Sequence, residues 1–256
     1  MLHTIAHQGA DMIIRKITIA LLGLATTVAL LSCTSVLPVK QTDIAPVTGS
    51  SNHDDLKAIY SRLGETGGKV FTLNPKTSAV RIYAFRAGSA AKMGHNHVLS
   101  APQFTGFAYV PSSGLSGSRF DLEFILEQLE IDNPEYRSGL GSTFSSTPTS
   151  EAIKSTKEHM LGEENFQADR FPFVHIRSLA IAGEAPKLAA KVEIELHGQR
   201  REMWIPLNVE GLPDQLSVTG SFILRQTDFG VQPYSALGGL LTVQDEMVIE
   251  FKLVGI

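Results

Sequence analysis

The segment Leu188-Ala189-Ala190-Lys191-Val192-Glu193-Ile194-Glu195-Leu196 decides the fold class of this chain. Its even-numbered positions are all apolar, whereas Lys191, Glu193 and Glu195 carry charge. Because successive side chains of a strand point to opposite faces, this alternation predicts a strand with one buried face and one exposed face. The turn His197-Gly198-Gln199 follows, and apolar residues at 203, 205, 207 and 209 repeat the pattern, which predicts an antiparallel neighbour.

The same alternation recurs along most of the chain. It predicts further strands over residues 79–86, 104–110, 119–131, 173–181, 216–224, 239–243 and 247–253. The phase changes after Ile125, which predicts a bulge near residues 126–128. Residues 132–149 read as a long polar loop, and residues 150–162 read as one inserted helix.

These elements predict an all-β fold, an antiparallel up-and-down barrel of about eight strands with one inserted helix. A barrel is favoured because closure removes exposed sheet edges. A barrel of this size can enclose one small ligand. A two-sheet sandwich with a filled core would satisfy the same alternation.

The N-terminus has the features of an export signal. Arg15 and Lys16 precede an apolar run over residues 17–31, and Leu30-Leu31-Ser32-Cys33 resembles a bacterial lipobox. We therefore predict a signal peptide over residues 1–33, with Met12 as an alternative start, and lipidation of Cys33, the sole cysteine. A soluble export signal and an uncleaved anchor are the alternatives.

By resemblance to Gram-negative lipoproteins, Thr34 after the cysteine favours an outer-membrane anchor facing the periplasm. Residues 34–77 then read as a tether with a short helix near residues 54–63, and residues 78–256 as the barrel domain.

Composition and motifs exclude several classes of function. The net charge of −4 and the absence of a basic stripe argue against nucleic acid as a partner. The sequence has no nucleophile elbow, zinc-protease motif, phosphate-binding loop or dinucleotide fingerprint. We therefore predict neither an enzyme nor a resident cofactor.

The stretch Lys92-Met93-Gly94-His95-Asn96-His97-Val98 concentrates polar chemistry. On an extended backbone His95 and His97 share a face, where they could bind a metal, orient a ligand's head group, or bond nearby carbonyls and close a turn. Two histidines are too few for a zinc site, so a metal would need His175 or an acid as well. We predict no metal site and retain metal binding as an alternative.

The second half of the chain resembles the YceI-like family. The matching segments are Phe171-Pro172, Val192 to Gly198 followed by Trp204-Ile205-Pro206-Leu207, Val218 to Phe222, Arg225-Gln226-Thr227-Asp228-Phe229-Gly230-Val231, and Asp245-Glu246. This resemblance runs from about residue 78 to the end. It implies a periplasmic protein whose lipocalin-like barrel holds an isoprenoid chain. The Gly94-His95-Asn96-His97 stretch and the loop over residues 132–149 depart from the family pattern.

The resemblance also selects candidate ligand-binding residues. It favours an apolar tunnel lined by Phe120, Phe124, Trp204, Phe222 and Phe251, although each alone could fill a core. Arg225 could pair with Asp228 or face an acidic head group, and Asp228 could fix the barrel mouth or serve as a turn residue.

Three hypotheses of function follow. The first is a lipid-anchored envelope protein that binds or carries a long apolar ligand, an isoprenoid or isoprenoid quinone, inside the barrel. The second is a metal-binding protein or metal-dependent enzyme that uses His95 and His97. The third is a structural envelope protein with a filled core.

Overall fold

The computed structural model describes residues 53–256 of the chain. The predicted signal peptide, Met12, the lipobox with Cys33 and the tether up to residue 52 lie outside the described residues. Within the part described, no helix combines the length and apolar character needed to cross a bilayer.

Residues 53–256 form fourteen strands in two antiparallel sheets and three α-helices. The helices are α1 (His53–Glu65), α2 (Pro134–Ser138) and α3 (Ser150–Leu161). The strands are β1 (Gly68–Thr72), β2 (Ala79–Ala84), β3 (Arg86–Ala87), β4 (His97–Ser100), β5 (Thr105–Pro111), β6 (Arg119–Ile125), β7 (Glu130–Ile131), β8 (Phe173–Glu184), β9 (Lys187–Leu196), β10 (Gln199–Glu210), β11 (Leu216–Arg225), β12 (Ser235–Ala236), β13 (Leu241–Val243) and β14 (Glu246–Gly255).

The larger sheet has the order β1-β5-β6-β8-β9-β10-β11-β14-β2-β4-β7 and closes on itself. Closure occurs where Leu73, just after β1, pairs with Gly255 at the end of β14. The backbones of Thr72 and Ile256 also exchange two hydrogen bonds, of 2.9 and 3.0 Å. The sheet is therefore an antiparallel barrel, which confirms the predicted fold class.

Eleven strands make this barrel rather than the predicted eight because three strands are interrupted. β1 and β2 run along the same edge of β14, β4 and β5 pair with β2 and β1, and β7 continues the course of β6. A 3₁₀ turn over Leu126–Gln128 separates β6 from β7, at the place where the change of phase predicts a bulge.

Near the start of the domain, one element differs from the prediction and one lies where it is predicted. Strand β1 lies inside the segment predicted as a tether, so a boundary at residue 78 leaves out a strand that the barrel needs for closure. Helix α1, over the segment predicted as a short helix, packs outside the barrel, where Tyr60 stacks on Phe107 with ring centroids 5.4 Å apart.

The alternation of the strands decides which side chains face the interior. In β9 the even-numbered residues from Leu188 to Leu196 are buried, whereas the charged odd-numbered ones are only partly covered. Strands β3, β12 and β13 form the small second sheet, and β2 leads directly into β3. This small sheet therefore extends the barrel at the end where β2 finishes.

Candidate functional site

The barrel encloses an apolar cavity of about 400 Å³. Its wall is formed by inward side chains from most strands of the barrel, and one side of α3 contributes Met160. Phe120, Phe124, Phe222 and Phe251 are among the lining residues, as predicted for the tunnel. A cavity of this volume falls within the range of small-molecule sites in proteins. The interior is therefore hollow, which argues against a structural protein with a filled core.

Trp204 lies outside this cavity, so the prediction that it lines the tunnel is wrong. Its side chain is 54% exposed on the outer face of β10, opposite Lys191 of β9. Met203 and Ile205 point inward on either side of it. Period-2 alternation places Trp204 on the opposite face from these neighbours, so the parity of the strand decides its position and the family resemblance does not.

One end of the cavity carries polar side chains from separate elements. His97 of β4, His159 of α3, Asn165, Gln226 and Tyr234 all line this part of the wall. Asn165 donates from Nδ2 to the Gln232 carbonyl at 2.8 Å, and Gln226 donates from Nε2 to the Gln244 carbonyl at 2.9 Å. These amides fix the backbone near the cavity mouth. No pattern in the sequence predicts them as site residues, although Gln226 lies within the matched Arg225 to Val231 segment.

Helix α3 and the segment after β11 meet across this end. The rings of His159 and Tyr234 have centroids 5.2 Å apart, and both side chains are exposed as well as lining the cavity. The contact therefore lies where the cavity approaches solvent, between α3 and Tyr234.

The His97 imidazole is oriented by a carboxylate. His97 Nδ1 lies 2.6 Å from Oδ2 of Asp132, which follows β7. Burial by itself raises the pKa of Asp132, but the hydrogen bond and charge of His97, the Val98 backbone N–H and the charge of Arg137 together hold that pKa below its usual value. Asp132 is thus ionised and can only accept, so Nδ1 donates and Nε2 is left for the cavity side.

Asp132 is in turn held by a buried arginine. Arg137 of α2 donates from Nη1 to Oδ1 of Asp132, and Oδ1 also accepts from the Val98 backbone N–H at 3.0 Å. The same guanidinium donates to the carbonyls of Asn96, Phe144 and Ser146 at 2.7, 3.0 and 2.8 Å. Both terminal nitrogens of the guanidinium thus have hydrogen-bond acceptors, which compensates most of the buried charge, whereas the buried Nε has no partner.

The two departures from the family pattern fold against each other. Asn96 accepts from the Arg86 backbone N–H at 3.0 Å and donates to the Thr143 carbonyl at 3.1 Å. Asn96 and His97 therefore hold the loop over residues 132–149 through Thr143 and Asp132. The predicted loop contains α2 and a 3₁₀ turn over Ser142–Phe144, so it is an ordered part of this site.

His95 lies beside this network without lining the cavity. Its ring centroid is 6.3 Å from that of His97. Burial, and next the charges of His97 and Arg137, lower the pKa of His95, which favours its neutral form. The predicted pair therefore divides into His97, which faces the cavity, and the half-buried His95 beside it.

A metal site finds no support at these residues. Within residues 55–256, no group of three or more histidine, cysteine, aspartate or glutamate side chains converges as metal ligands would. His175 pairs with Glu123 at 3.5 Å, while its neighbours Val174 and Ile176 line the cavity. By alternation His175 faces outward and does not complete a site with His95 and His97.

Arg225 and Asp228 lie outside the cavity as well. Arg225 pairs with Glu246 of β14, with Nε and Oε1 3.3 Å apart, and not with Asp228 as predicted. Asp228 is exposed in a 3₁₀ turn over Thr227–Phe229, where Asp245 accepts from the backbone and hydroxyl of Thr227 at 2.8 and 2.6 Å. This segment shapes a turn and buries Phe229, so these two residues do not contact a ligand in the barrel.

The comparisons with known proteins agree with this architecture. The model of the YceI-like domain matches residues 71–255. The chain belongs to the YceI-like family. Among curated protein sequences, none matches the chain significantly.

One solved structure of a similar protein shows the same fold, and a second is similar to a lesser degree. The Burkholderia cenocepacia protein BcnA is 14% identical with a TM-score of 0.53, and the match covers 72% of this chain and 99% of that one. A polyisoprenoid binding domain from Saccharophagus degradans is 13% identical with a TM-score of 0.46, over 72% of this chain and 97% of that one.

Proposed function

We propose that this YceI-like protein binds and carries a long apolar ligand, an isoprenoid or an isoprenoid quinone, inside its barrel. The observation that carries the proposal is the apolar cavity of about 400 Å³ within the closed sheet. Its function is binding rather than catalysis. The resemblance of the sequence to the YceI-like family supports the isoprenoid class.

Burial of apolar surface supplies the affinity in this proposal. Each methylene group that leaves water for an apolar wall contributes about 0.8 kcal/mol. A hydrocarbon chain needs no directional partner, so aromatic and aliphatic side chains such as Phe124, Phe222 and Ile194 suffice along the wall. Orientation of the ligand then depends on the polar end.

The head group of the ligand lies at His97 in this proposal. Asp132 fixes the imidazole through Nδ1, and Nε2 can accept a hydrogen bond from a hydroxyl group or, when protonated, donate one to a carbonyl group. Prenols carry the first group and quinones the second. His95 and the residues outside the cavity, Trp204, Arg225 and Asp228, have no contact with the ligand.

Filling the cavity is expected to remove the ligand. Ala108 of β5 lines the cavity, so Ala108→Leu inserts bulk where the ligand would lie. Ala182 of β8 is exposed, so Ala182→Leu adds the same bulk outside. We expect organic extracts of the untagged wild type and Ala182→Leu to contain a stoichiometric isoprenoid lipid by mass spectrometry, and extracts of Ala108→Leu to lack it. Equal lipid content in both variants, with both folded, would contradict binding in the barrel.

The change His97→Gln is expected to weaken binding of geranylgeraniol and of a short-chain isoprenoid quinone by about tenfold, the equivalent of one hydrogen bond. His95→Gln, beside it but outside the cavity, should leave both affinities unchanged. Each affinity is measured for both variants by titrating the delipidated protein with ligand and recording its fluorescence. If His97→Gln lowers stability and changes neither affinity, the histidine only locks the turn.

The periplasmic location and lipid anchor remain part of the proposal. A lipidated Cys33 would hold the barrel at a membrane, with the outer membrane favoured by Thr34. We expect Cys33→Ser to release the protein into the soluble fraction, because the change removes the acyl chains that anchor it. Fractionation after a high-salt wash measures this, and retention of the variant in the membrane fraction would refute the lipobox.

A further inference from the structure

A hairpin extends from the cavity mouth to an exposed apolar tip. It consists of β12 and β13, with Ser235 opposite Thr242 and Ala236 opposite Leu241. At its base, Tyr234 and Val243 line the cavity, and the Val243 backbone N–H donates to the Tyr234 carbonyl at 3.0 Å. The tip begins three residues after Tyr234, which corresponds to roughly 10 Å at the rise per residue of a β-strand.

The tip exposes large apolar side chains. Leu237 is 56% exposed and Leu240 is 53% exposed. Leu237, Gly238 and Gly239 have φ values of 53°, 64° and 88°, a conformation that costs a leucine energy. A Cβ built at Gly238 or Gly239 would meet no atom within 4 Å, so these two positions border open space.

A second segment adds to the same surface. Strand β3 pairs with β13, and the Ala90 backbone N–H donates to the Leu240 carbonyl at 2.8 Å. The turn that follows carries Met93, whose side chain is 71% exposed. We call Met93, Leu237 and Leu240 the apolar tip.

The charge around the apolar tip is distinctive. Residues 231–244 contain no charged side chain, and residues 88–94 contain only Lys92, which is exposed. The two segments together therefore carry one positive charge, in a chain whose net charge is −4. Exposed apolar side chains beside a cation are complementary to the surface of an anionic lipid bilayer, where the side chains enter the acyl region and the cation meets head groups.

We infer that the apolar tip inserts into the surface of an anionic lipid bilayer and holds the cavity mouth against it. Tyr234 and Val243 at the base of the hairpin then face the membrane side of the mouth. The second part of the inference rests on the proposed function: a ligand passes between bilayer and barrel along the hairpin without crossing water.

The single tryptophan of the chain allows a direct test of insertion. In the full-length protein, Trp204→Phe with Leu240→Trp places the only indole at the tip. Trp204→Phe with Ile223→Trp is the matched control, because Ile223 is an exposed apolar residue of β11, a strand of the barrel wall. Both proteins are reconstituted in vesicles of phosphatidylethanolamine and phosphatidylglycerol with acyl chains brominated.

We expect the indole at 240 to lose roughly half or more of its fluorescence to the brominated chains, and the indole at 223 to lose little. Lys92→Glu should reduce the quenching at 240. Absence of quenching at 240 overturns the inference. If the indole at 240 is quenched neither by the brominated chains nor by aqueous iodide, a second copy or the N-terminal segment covers the tip instead of a bilayer.

Transfer of a fluorescent prenol from vesicles to the protein tests whether the apolar tip assists passage of the ligand. We expect Leu237→Ser with Leu240→Ser to slow its transfer from vesicles about tenfold while leaving its binding from a cyclodextrin complex unchanged. Unchanged transfer would overturn the role of the tip in ligand passage. If the wild type takes up prenol from neither source, the proposed function fails, and bromine quenching still decides whether the tip enters the bilayer.

Discussion

Replacing Asp132 by asparagine is expected to destabilise the protein by about 3–5 kcal/mol, because the change leaves the Arg137 guanidinium buried without its counter-charge. Arg137 is 7% exposed, and the Asp132 side chain is fully buried. The variant also leaves one acceptor oxygen in place of the two that bind His97 on one side and Val98 and Arg137 on the other. Equilibrium unfolding in urea measures the loss.

Two further variants separate the buried ion pair from a general effect of losing a carboxylate. Asp228→Asn changes an exposed aspartate and should shift stability by less than about 0.5 kcal/mol. Adding Arg137→Met to Asp132→Asn removes the unpaired charge and should recover part of the stability, since the two residues are in direct contact. A loss below about 1 kcal/mol in Asp132→Asn would show that the ion pair does not hold this loop.

The ion pair of Asp132 and Arg137 also makes the stability of the wild-type protein depend on pH in the acid range. The pKa of Asp132 is lower in the folded protein than in the unfolded chain, where an aspartate titrates near pH 3.9. Its stabilising contribution is therefore complete above that value and is lost as the pH falls through the folded pKa. We expect the difference in stability between wild type and Asp132→Asn to narrow below about pH 4.

The sequence predicts the barrel because its signal is repeated in strand after strand. In β9 each buried residue from Leu188 to Ile194 is followed by a less buried one, and parts of β10, β11 and β14 alternate with the same period. The prediction differs from the structure where a strand is too short to show this alternation, or where a resemblance is followed instead of the alternation. Strand β1 has five residues and begins with a glycine, too few to show alternation. The family resemblance predicts Trp204 in the tunnel, whereas the parity of its own strand places it outside.

The site is harder to predict because its polar residues meet only through the fold. Asp132 lies 35 residues after His97, and no spacing rule connects an aspartate after one strand to a histidine at the start of another. Pairing of β4 with β7 brings them together, and that pairing involves only two residues on each strand. Gln226 and Asn165 were missed for the same reason, since their partners lie 18 and 67 residues away.

Two phenylalanines distinguish the filled part of the barrel from the hollow part. Phe229 is fully buried and does not line the cavity, whereas Phe222 lines it and contacts Phe251 with ring centroids 6.4 Å apart. Truncation of a phenylalanine in a packed core costs about 3–5 kcal/mol, because the protein loses both the burial of the ring and its contacts. A ring at the edge of a cavity has fewer contacts to lose.

We therefore expect Phe229→Ala to lower the free energy of unfolding by about 3–5 kcal/mol, and Phe222→Ala to lower it by clearly less, about 1–2 kcal/mol. Phe222→Ala should also enlarge the cavity and shift ligand preference towards bulkier or longer chains, whereas Phe229→Ala should leave the preference of the folded protein unchanged. Urea unfolding of delipidated proteins and competition between prenols of different length measure the two effects. Equal losses of stability, with no change in preference for Phe222→Ala, would mean that the wall at Phe222 is packed as tightly as the core at Phe229. The ligand would then have to lie elsewhere.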